Sequence, residues 1–349
     1  MQNDEAKPPR RVRYTGKNPK TFNEKYKELQ PEKYAKDIEK IMLKGNTPAG
    51  MHRSICVNEI LEILQITPGQ VGLDATLGYG GHSHEMLKCL TPGGKLFATD
   101  VDPFELPKTT ERLANLGFGP DVFFPRKMNF SNIDLIVHEA GLLNFVLADL
   151  GVSSMQIDNP DRGFSLKVEG PLDLRLNPKS GKSAAAFLKT VSEEELEEIL
   201  IENADEPYAS YIAEAIVKSI KKGRLVETTA QLKDIIKETL DFLPANDKID
   251  RIKKSCQRTF QALRIAVNDE FGVLDKFLEK LPDALVSGGK VAIISFHSGE
   301  DRRVKKAFQS LNRQGIYSSV APDPIRPTPQ EVGSNPRARS AKLRWAIKA

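Results

Sequence analysis

An open, doubly wound α/β fold is predicted by three features of this 349-residue chain. A short strand, Val71 to Thr76, breaks into the turn Leu77-Gly78-Tyr79-Gly80-Gly81, and a helix follows from about Ser83 to Leu90. A second apolar run, Lys95 to Thr99, ends in Asp100, about twenty residues beyond the glycines, the spacing of an acid that meets a ribose. Two later buried runs, Asn144–Leu147 and Val291–Ser295, each deliver polar residues where they end.

The glycine turn is the element around which the rest is arranged. Gly78, Gly80 and Gly81 let the backbone approach a ligand that a Cβ would repel. An acid at a strand end, glycines and a helix N-terminus form the nucleotide-binding turn of such sheets, although the same turn also occurs with a purely structural role. The spacing is neither the dinucleotide G-x-G-x-x-G nor a phosphate loop, since no Gly-Lys-Ser/Thr follows. Asp100 suits the hydroxyls of an adenosine ribose; Asp102, just before Pro103, is the competing acid and suits a turn. An adenosine without a pyrophosphate to cradle points to S-adenosylmethionine rather than NAD.

Composition sets bounds. Hydrophobic residues make up 40% and charged residues 28%, as in an ordinary globular protein with an ample core. No apolar run approaches a membrane span, and no secretory signal follows the N-terminal Asp4, Glu5 and Pro8, so no membrane partner and a cytoplasmic location are expected. Cys56, Cys89 and Cys256 are scattered without Cys-x-x-Cys spacing, which argues against a disulfide framework or a metal site. The net charge of +4 hides a segregation. Residues 1–45 hold 12 Lys and Arg against 7 Asp and Glu, residues 302–349 hold 11 against 2, and the middle is acidic. Basic ends suit a polyanion partner; for residues 1–20, rich in Pro, Lys and Arg, a flexible solubilising arm is the alternative.

Taken in order, a helix is expected over 23–44, then the segment Met51-His52-Arg53-Ser54-Ile55, then a helix carrying Val57, Ile60, Leu61 and Leu64. Beyond Asp100 a helix over about 106–116 and a strand at Val122-Phe123-Phe124 lead to Phe130, either an adenine-flanking ring or core. The strand 144–147 exits into Ala148-Asp149-Leu150-Gly151-Val152-Ser153-Ser154-Met155-Gln156, and Asp149 is a site candidate because ligands sit beyond the carboxyl ends of the strands; a turn-forming Asp is the other reading. Residues 157–258 change to loops and helices, with a capping box expected at Ser192/Glu195 and a helix start at Thr228/Gln231, and are expected to form an inserted helical domain. The core is thus assigned to 46–156 and 259–349, with 1–45 as a basic extension. A helix over about 259–281 precedes the strand 291–295, whose end presents His297, a general base or an orienting hydrogen-bond donor. The stretch 335–345 alternates basic with small residues and suits a strand whose basic face meets phosphate.

These segments together resemble the MraW-type family of bacterial small-subunit ribosomal RNA methyltransferases, which methylate the N4 amine of a decoding-centre cytosine. The carrying motifs are Asp74-Ala75-Thr76-Leu77-Gly78 with Gly80-Gly81-His82-Ser83, and Asp149-Leu150-Gly151-Val152-Ser153-Ser154 with Gln156. Arg162-Gly163-Phe164-Ser165, Gly170-Pro171-Leu172-Asp173, Thr259 to Ile265, Ile294 to Ser298 and Asn335 to Arg344 complete a series running from about His52 to Arg344.

The resemblance implies a class I, Rossmann-like S-adenosylmethionine-dependent methyltransferase sheet with an inserted helical domain. It places cofactor contacts on Gly80, Gly81, His82, Asp100, Phe130, Asp149 and Gln156, to which the reading of the turn adds Gly78. On mechanistic grounds, rather than by the resemblance, chemistry is assigned to Asp149, with cofactor binding alone as its alternative, and His297 and Asp173 stand behind it. Substrate contacts fall to Ser153, Ser154, Arg175, Arg337, Arg339, Lys342 and Arg344. The implied partner is small-subunit ribosomal RNA, assembled or nearly so, and the implied state a monomer or homodimer. Two departures stand out: Leu174, Leu176 and Asn177 replace the family's usual Met, Met and Asp, and Gly299 replaces its Leu. Rival readings are an amine methyltransferase on another nucleic acid or a protein, an RNA-binding assembly factor without turnover, and a nicotinamide dehydrogenase.

Overall fold

The computed structural model describes residues 54–349; the expected arm, the helix over 23–44 and the His52 segment lie outside the described residues. The first half alternates as expected for parallel crossovers: α1 (Val57–Leu64), β1 (Val71–Asp74), α2 (Gly81–Leu90), β2 (Lys95–Asp100), α3 (Glu105–Asn115), β3 (Phe123–Lys127), α4 (Ile133–Ala140) and β4 (Leu143–Asp149). A helical stretch follows, α5 (Ser154–Asp158), α6 (Ala184–Leu188), α7 (Glu193–Ala204), α8 (Ala209–Lys221), α9 (Thr229–Thr239), α10 (Lys248–Asn268) and α11 (Glu270–Ala284). The sheet is then completed by β5 (Leu285–Ser295), α12 (Ser298–Arg313), β6 (Tyr317–Val320), α13 (Pro329–Ser334) and β7 (Lys342–Lys348).

The seven strands run in the order β3-β2-β1-β4-β5-β7-β6. β1 to β5 are parallel, whereas β7 lies antiparallel between β5 and β6. This is the class I methyltransferase arrangement that the resemblance implies. The order reverses between β1 and β4, so the crevice for a ligand opens beyond the carboxyl ends of those two strands.

Period-two alternation sends successive side chains to opposite faces of the sheet. Leu73, Phe97, Val146, Val291 and Ile293 pack on one side with α4, α11 and α12. Leu96, Phe145, Leu147, Ala292 and Ile294 pack on the other with α1, α2 and α3. The intervening helices have a core of their own, from Leu172 through Leu196, Ile212, Ile216 and Ile236 to Leu263.

Two element expectations need correction. The helix over 259–281 is two helices, α10 starting already at Lys248, separated by Asp269 in a left-handed conformation (φ 50°). A boundary at 258 therefore runs through α10. The stretch 335–341 is not strand: Asn335 caps a 3-10 turn over Pro336–Ser340, and β7 begins only at Lys342. The box at Thr228/Gln231 is complete, whereas Ser192 accepts from Glu195 N–H without a reciprocal bond.

Candidate active site

The glycine turn is held from three directions. Gly78 N–H donates to Asp100 Oδ2 (2.7 Å), which ties the turn to the end of β2. From α3, Thr109 Oγ1 donates to Gly78 O (2.7 Å) and Arg112 Nη1 to Tyr79 O (2.6 Å). Gly80 has φ 80°, and a Cβ there would lie 2.7 Å from Thr109 Cγ2, so glycine is required both by conformation and by space. At the end of β1, buried Asp74 accepts from Ser83 Oγ (2.6 Å) and from Thr76 N–H (3.1 Å). Burial pushes its carboxyl above the ordinary value, partly offset by these bonds.

Asp100 and Asp102 divide the work that sequence reasoning left open between them. Asp100 accepts from Gly78 N–H and from Asp102 N–H (2.8 Å), which fixes the carboxylate at the strand exit. Burial pushes its pKa up to about 6 against those two bonds. Asp102, 1% exposed, closes the turn through Oδ1, which accepts from Phe104 and Glu105 N–H. Its Oδ2 accepts from Gln156 Nε2 (2.9 Å) and Arg162 Nη1 (2.8 Å). Burial raises that carboxyl, but the bonds from Gln156 and Arg162 outweigh it and hold it below the usual range.

Asp149 ends β4 beside these groups. Its N–H donates to Thr76 Oγ1 (2.6 Å), a link from the turn after β1 that the sequence did not single out. Its Oδ2 lies 3.6 Å from His82 Nδ1, while buried Oδ1 has no hydrogen-bond partner within the protein. Burial pushes the carboxyl up to about 6; the His82 ring opposes this, and Asp74 and Glu300 add to it. His82 Nε2 lies 3.0 Å from Ile55 O, so in the neutral ring Nε2 carries the proton and Nδ1 faces Asp149. A buried acceptor without a partner is costly unless a ligand supplies the donor.

Of the other expected cofactor contacts, Gln156 is engaged within the protein, with Asp102 as above and with Ser153 N–H (2.9 Å) in the capping box of α5. Ser153 Oγ caps the same helix, and Ser154 opens it. Phe130 is half-buried and meets Phe277 edge-on (centroids 5.1 Å apart), so its ring is largely committed to the core.

The loop over 159–177 folds beside the Asp102 turn. Asp173 and Arg175 form a two-pronged ion pair (2.8 and 2.6 Å), which raises the Arg175 pKa and leaves Arg175 Nη1 on Gly181 O (3.1 Å). Leu174 between them is buried in the left-handed region (φ 63°), a strain of about 1–2 kcal/mol that surrounding bonds must hold. Asn268 supplies two of those bonds, donating to Leu174 O and accepting from Leu176 N–H (both 2.7 Å). Asn177 Oδ1 accepts from Lys179 N–H (3.1 Å) and so shapes a turn.

His297 caps α12, its Nδ1 facing Glu300 N–H (3.4 Å) and its Nε2 lying 3.2 Å from Glu300 Oε1. Burial raises buried Glu300, but His297 and Arg264 outweigh it, so the carboxyl is held low. Its Nδ1 thus caps the helix, while its buried Nε2 has no hydrogen-bond partner within the protein. Donor atoms of Glu270, His297 and Glu300 lie within 4.8 Å of one another, but Arg264 forks Glu270 (2.8 and 2.9 Å) and supplies the positive charge there.

The basic C-terminal residues are mostly spoken for. Arg344, 5% exposed, donates to Asp301 Oδ1 (2.6 Å) and Lys342 to Asp301 Oδ2 (2.7 Å), while Arg337 pairs with Asp158 (2.6 Å). Burial raises Asp301, and Arg344 and Lys342 more than reverse that. The expected phosphate-facing strand is corrected: an ion-paired, buried Arg344 cannot meet solvent phosphate, and only Arg339 of the group is exposed outside the ion pairs among the described residues.

A chain from Alkaliphilus metalliredigens called ribosomal RNA small subunit methyltransferase H 2 is 65% identical over 349 residues, covering 100% of both chains. One from Lachnoclostridium phytofermentans, ribosomal RNA small subunit methyltransferase H 1, is 64% identical, covering 100% of this chain and 95% of the relative. A third, from Thioalkalivibrio sulfidiphilus, is 39% identical over 86% of this chain and 98% of its own length. The family profile described as the MraW methylase family matches residues 49–349, and on that span and those identities the chain belongs to the MraW methylase family.

Proposed function

We propose that the chain transfers the methyl group of S-adenosylmethionine to the N4 amine of a cytosine in small-subunit ribosomal RNA. The carrying observation is Asp149: a buried carboxylate oxygen without a partner, at the sheet's switch point, 3.6 Å from His82 of the helix that the glycine turn opens. The residues fit the methyl donor. Gly78, at φ 48°, has only Thr76 O near where a Cβ would stand, so the turn is open there, and Asp100 is fixed by two backbone bonds at the position of a ribose acceptor.

When bound, the sulfonium supplies an already activated methyl group. Asp149 accepts one N–H of the amine, which turns the delocalised nitrogen lone pair toward the donor and positions it in line. The backbone over 150–153 is the complementary acceptor for the second N–H. The base enters splayed out from its RNA. The helices over 157–268 form the substrate-recognition layer, with the Asp173–Arg175 loop as its inner edge.

The RNA backbone is assigned to α12 rather than to β7. Arg302, Lys305, Lys306 and Arg313 line the outer face of this helix, at spacings of three, four and seven. Lys305, Lys306 and Arg313 enter no ion pair among the described residues, and residues 302–313 contain no acid. The helix starts at His297, so the stripe leads away from the site. Replacing all four by Ala is expected to reduce the salt slope of RNA affinity by about 3, at roughly 0.7–0.9 per lost phosphate contact. An unchanged slope would put the backbone elsewhere.

The direct test is methyl transfer from labelled S-adenosylmethionine to immature small ribosomal subunits, with the modified base mapped. Label on N4 of one cytosine is the expected result; no label on RNA from a donor-binding protein overturns the reading.

A further inference from the structure

Asp102 lies two residues beyond the expected ribose acceptor, and both of its carboxylate oxygens accept from protein donors. Its backbone N–H holds Asp100 Oδ1 (2.8 Å). Its Oδ2 receives Gln156, from the helix that follows Asp149, and Arg162, from the loop over 159–177. Arg162 is 7% exposed, and its other terminal nitrogen donates to Arg175 O (3.1 Å) and Leu176 O (2.7 Å). One guanidinium therefore bridges the turn behind the ribose acceptor and the two successive carbonyls of Arg175 and Leu176. Those carbonyls follow immediately after left-handed Leu174, a conformation that persists only where neighbours over-determine it. Two glycines between Arg162 and Leu174 leave the loop little slack. A Cβ on Gly163 would lie 2.2 Å from Pro171 O, and one on Gly170 2.0 Å from Pro160 O.

We infer that Arg162 is a positioning residue that couples methyl-donor binding to RNA binding, because one planar fork sets both the Asp100–Asp102 turn and the Asp173–Asn177 loop. The inference rests on the reading of the site as a donor pocket facing RNA. A ligand that orders Asp100 orders the Asp102 turn through the backbone bond, and Arg162 carries that order to the loop that faces the base. Coupling between two sites is reciprocal, so bound RNA tightens the donor by the same factor.

The experiment measures affinity for immature small subunits with and without saturating S-adenosylhomocysteine, for the wild type and for Arg162→Lys. Lysine keeps the charge and can reach Asp102 or the carbonyls, but has no fork to hold both. The wild type is expected to bind the particle at least about fivefold more tightly with the adenosyl ligand present. In Arg162→Lys that ratio is expected to fall below about twofold, while the affinity for each ligand alone changes by less than that. A residue of purely structural importance would lower the melting temperature or weaken both ligands and leave the ratio alone. A second readout needs no RNA: the adenosyl ligand should slow tryptic cleavage at exposed Lys179 and Lys182 in the wild type and not in Arg162→Lys. Should Arg162→Lys melt early, Asp102→Asn, which keeps the shape and removes the charge, is expected to abolish the ratio in the same way. A wild-type ratio of one, or a ratio unchanged in both variants, overturns the inference. A wild type that takes up no S-adenosylhomocysteine brings down the donor-pocket reading and this inference with it.

Discussion

Asp149→Asn is expected to slow methyl transfer by about 10²-fold or more while S-adenosylhomocysteine still binds within a few-fold of the wild type. The amide keeps the shape of the carboxylate and its backbone bond to Thr76, but it presents one acceptor and one donor where the reacting amine needs an acceptor. A pH signature should accompany the effect. Burial pushes the Asp149 carboxyl up to about 6, so the accepting carboxylate is lost as the pH falls through that value. The wild-type single-turnover rate should therefore drop on acidification through about pH 6, and the residual rate of the Asp149→Asn variant should not follow that step. Near-normal turnover of Asp149→Asn with intact ligand binding would remove the proposed role. Loss of ligand binding alone would make Asp149 a cofactor residue only.

A large stability effect is expected at Gly72→Ala. Gly72 pairs with Phe145 across β1 and β4, and Phe145 is fully buried. A Cβ on Gly72 would lie 2.1 to 2.5 Å from three atoms of that ring. Neither neighbour can retreat, since one is the central strand and the other is enclosed by the core between the sheet and its helices. Overpacking of this kind costs about 3 kcal/mol or more, a fall of several degrees in melting temperature. Phe145→Leu on the Gly72→Ala background is expected to recover part of the loss, because it vacates the overlapping volume. A Gly72→Ala protein that melts with the wild type would show that the ring has somewhere to go.

What the sequence conveyed depended on how local the cause was. Lys95–Asp100 was legible to the residue because an apolar run ending in an acid states its own limits. The glycine turn was legible because positive φ at Gly78 and Gly80 is written in the residue type. Asp102 was correctly read as a turn former, but its second duty depends on Arg162, sixty positions away, and no spacing announces such a partner. Arg344 misled for the same reason. A basic residue on a strand looks available to phosphate until Asp301 of α12 is found beneath it. The break at Asp269 was missed because neither Gly nor Pro marks it, although Asp is one of the few side chains that enter the left-handed region. Thr76 and Asn268 carry no chemical signature of their own, and their importance lies in the backbone atoms they hold.

The position of β7 has a consequence for how the molecule comes into being. Its strand fits between β5 and β6, although it is made after both. Until residues 342–348 have left the ribosome, the rim of β5 stays uncapped and β6 has nothing to pair with. Asp301 likewise waits for Lys342 and Arg344 before its charge is matched. A nascent chain lacking that last strand is therefore a species with an open seam, and it is at that stage of synthesis that this protein is most exposed to sticking to its neighbours.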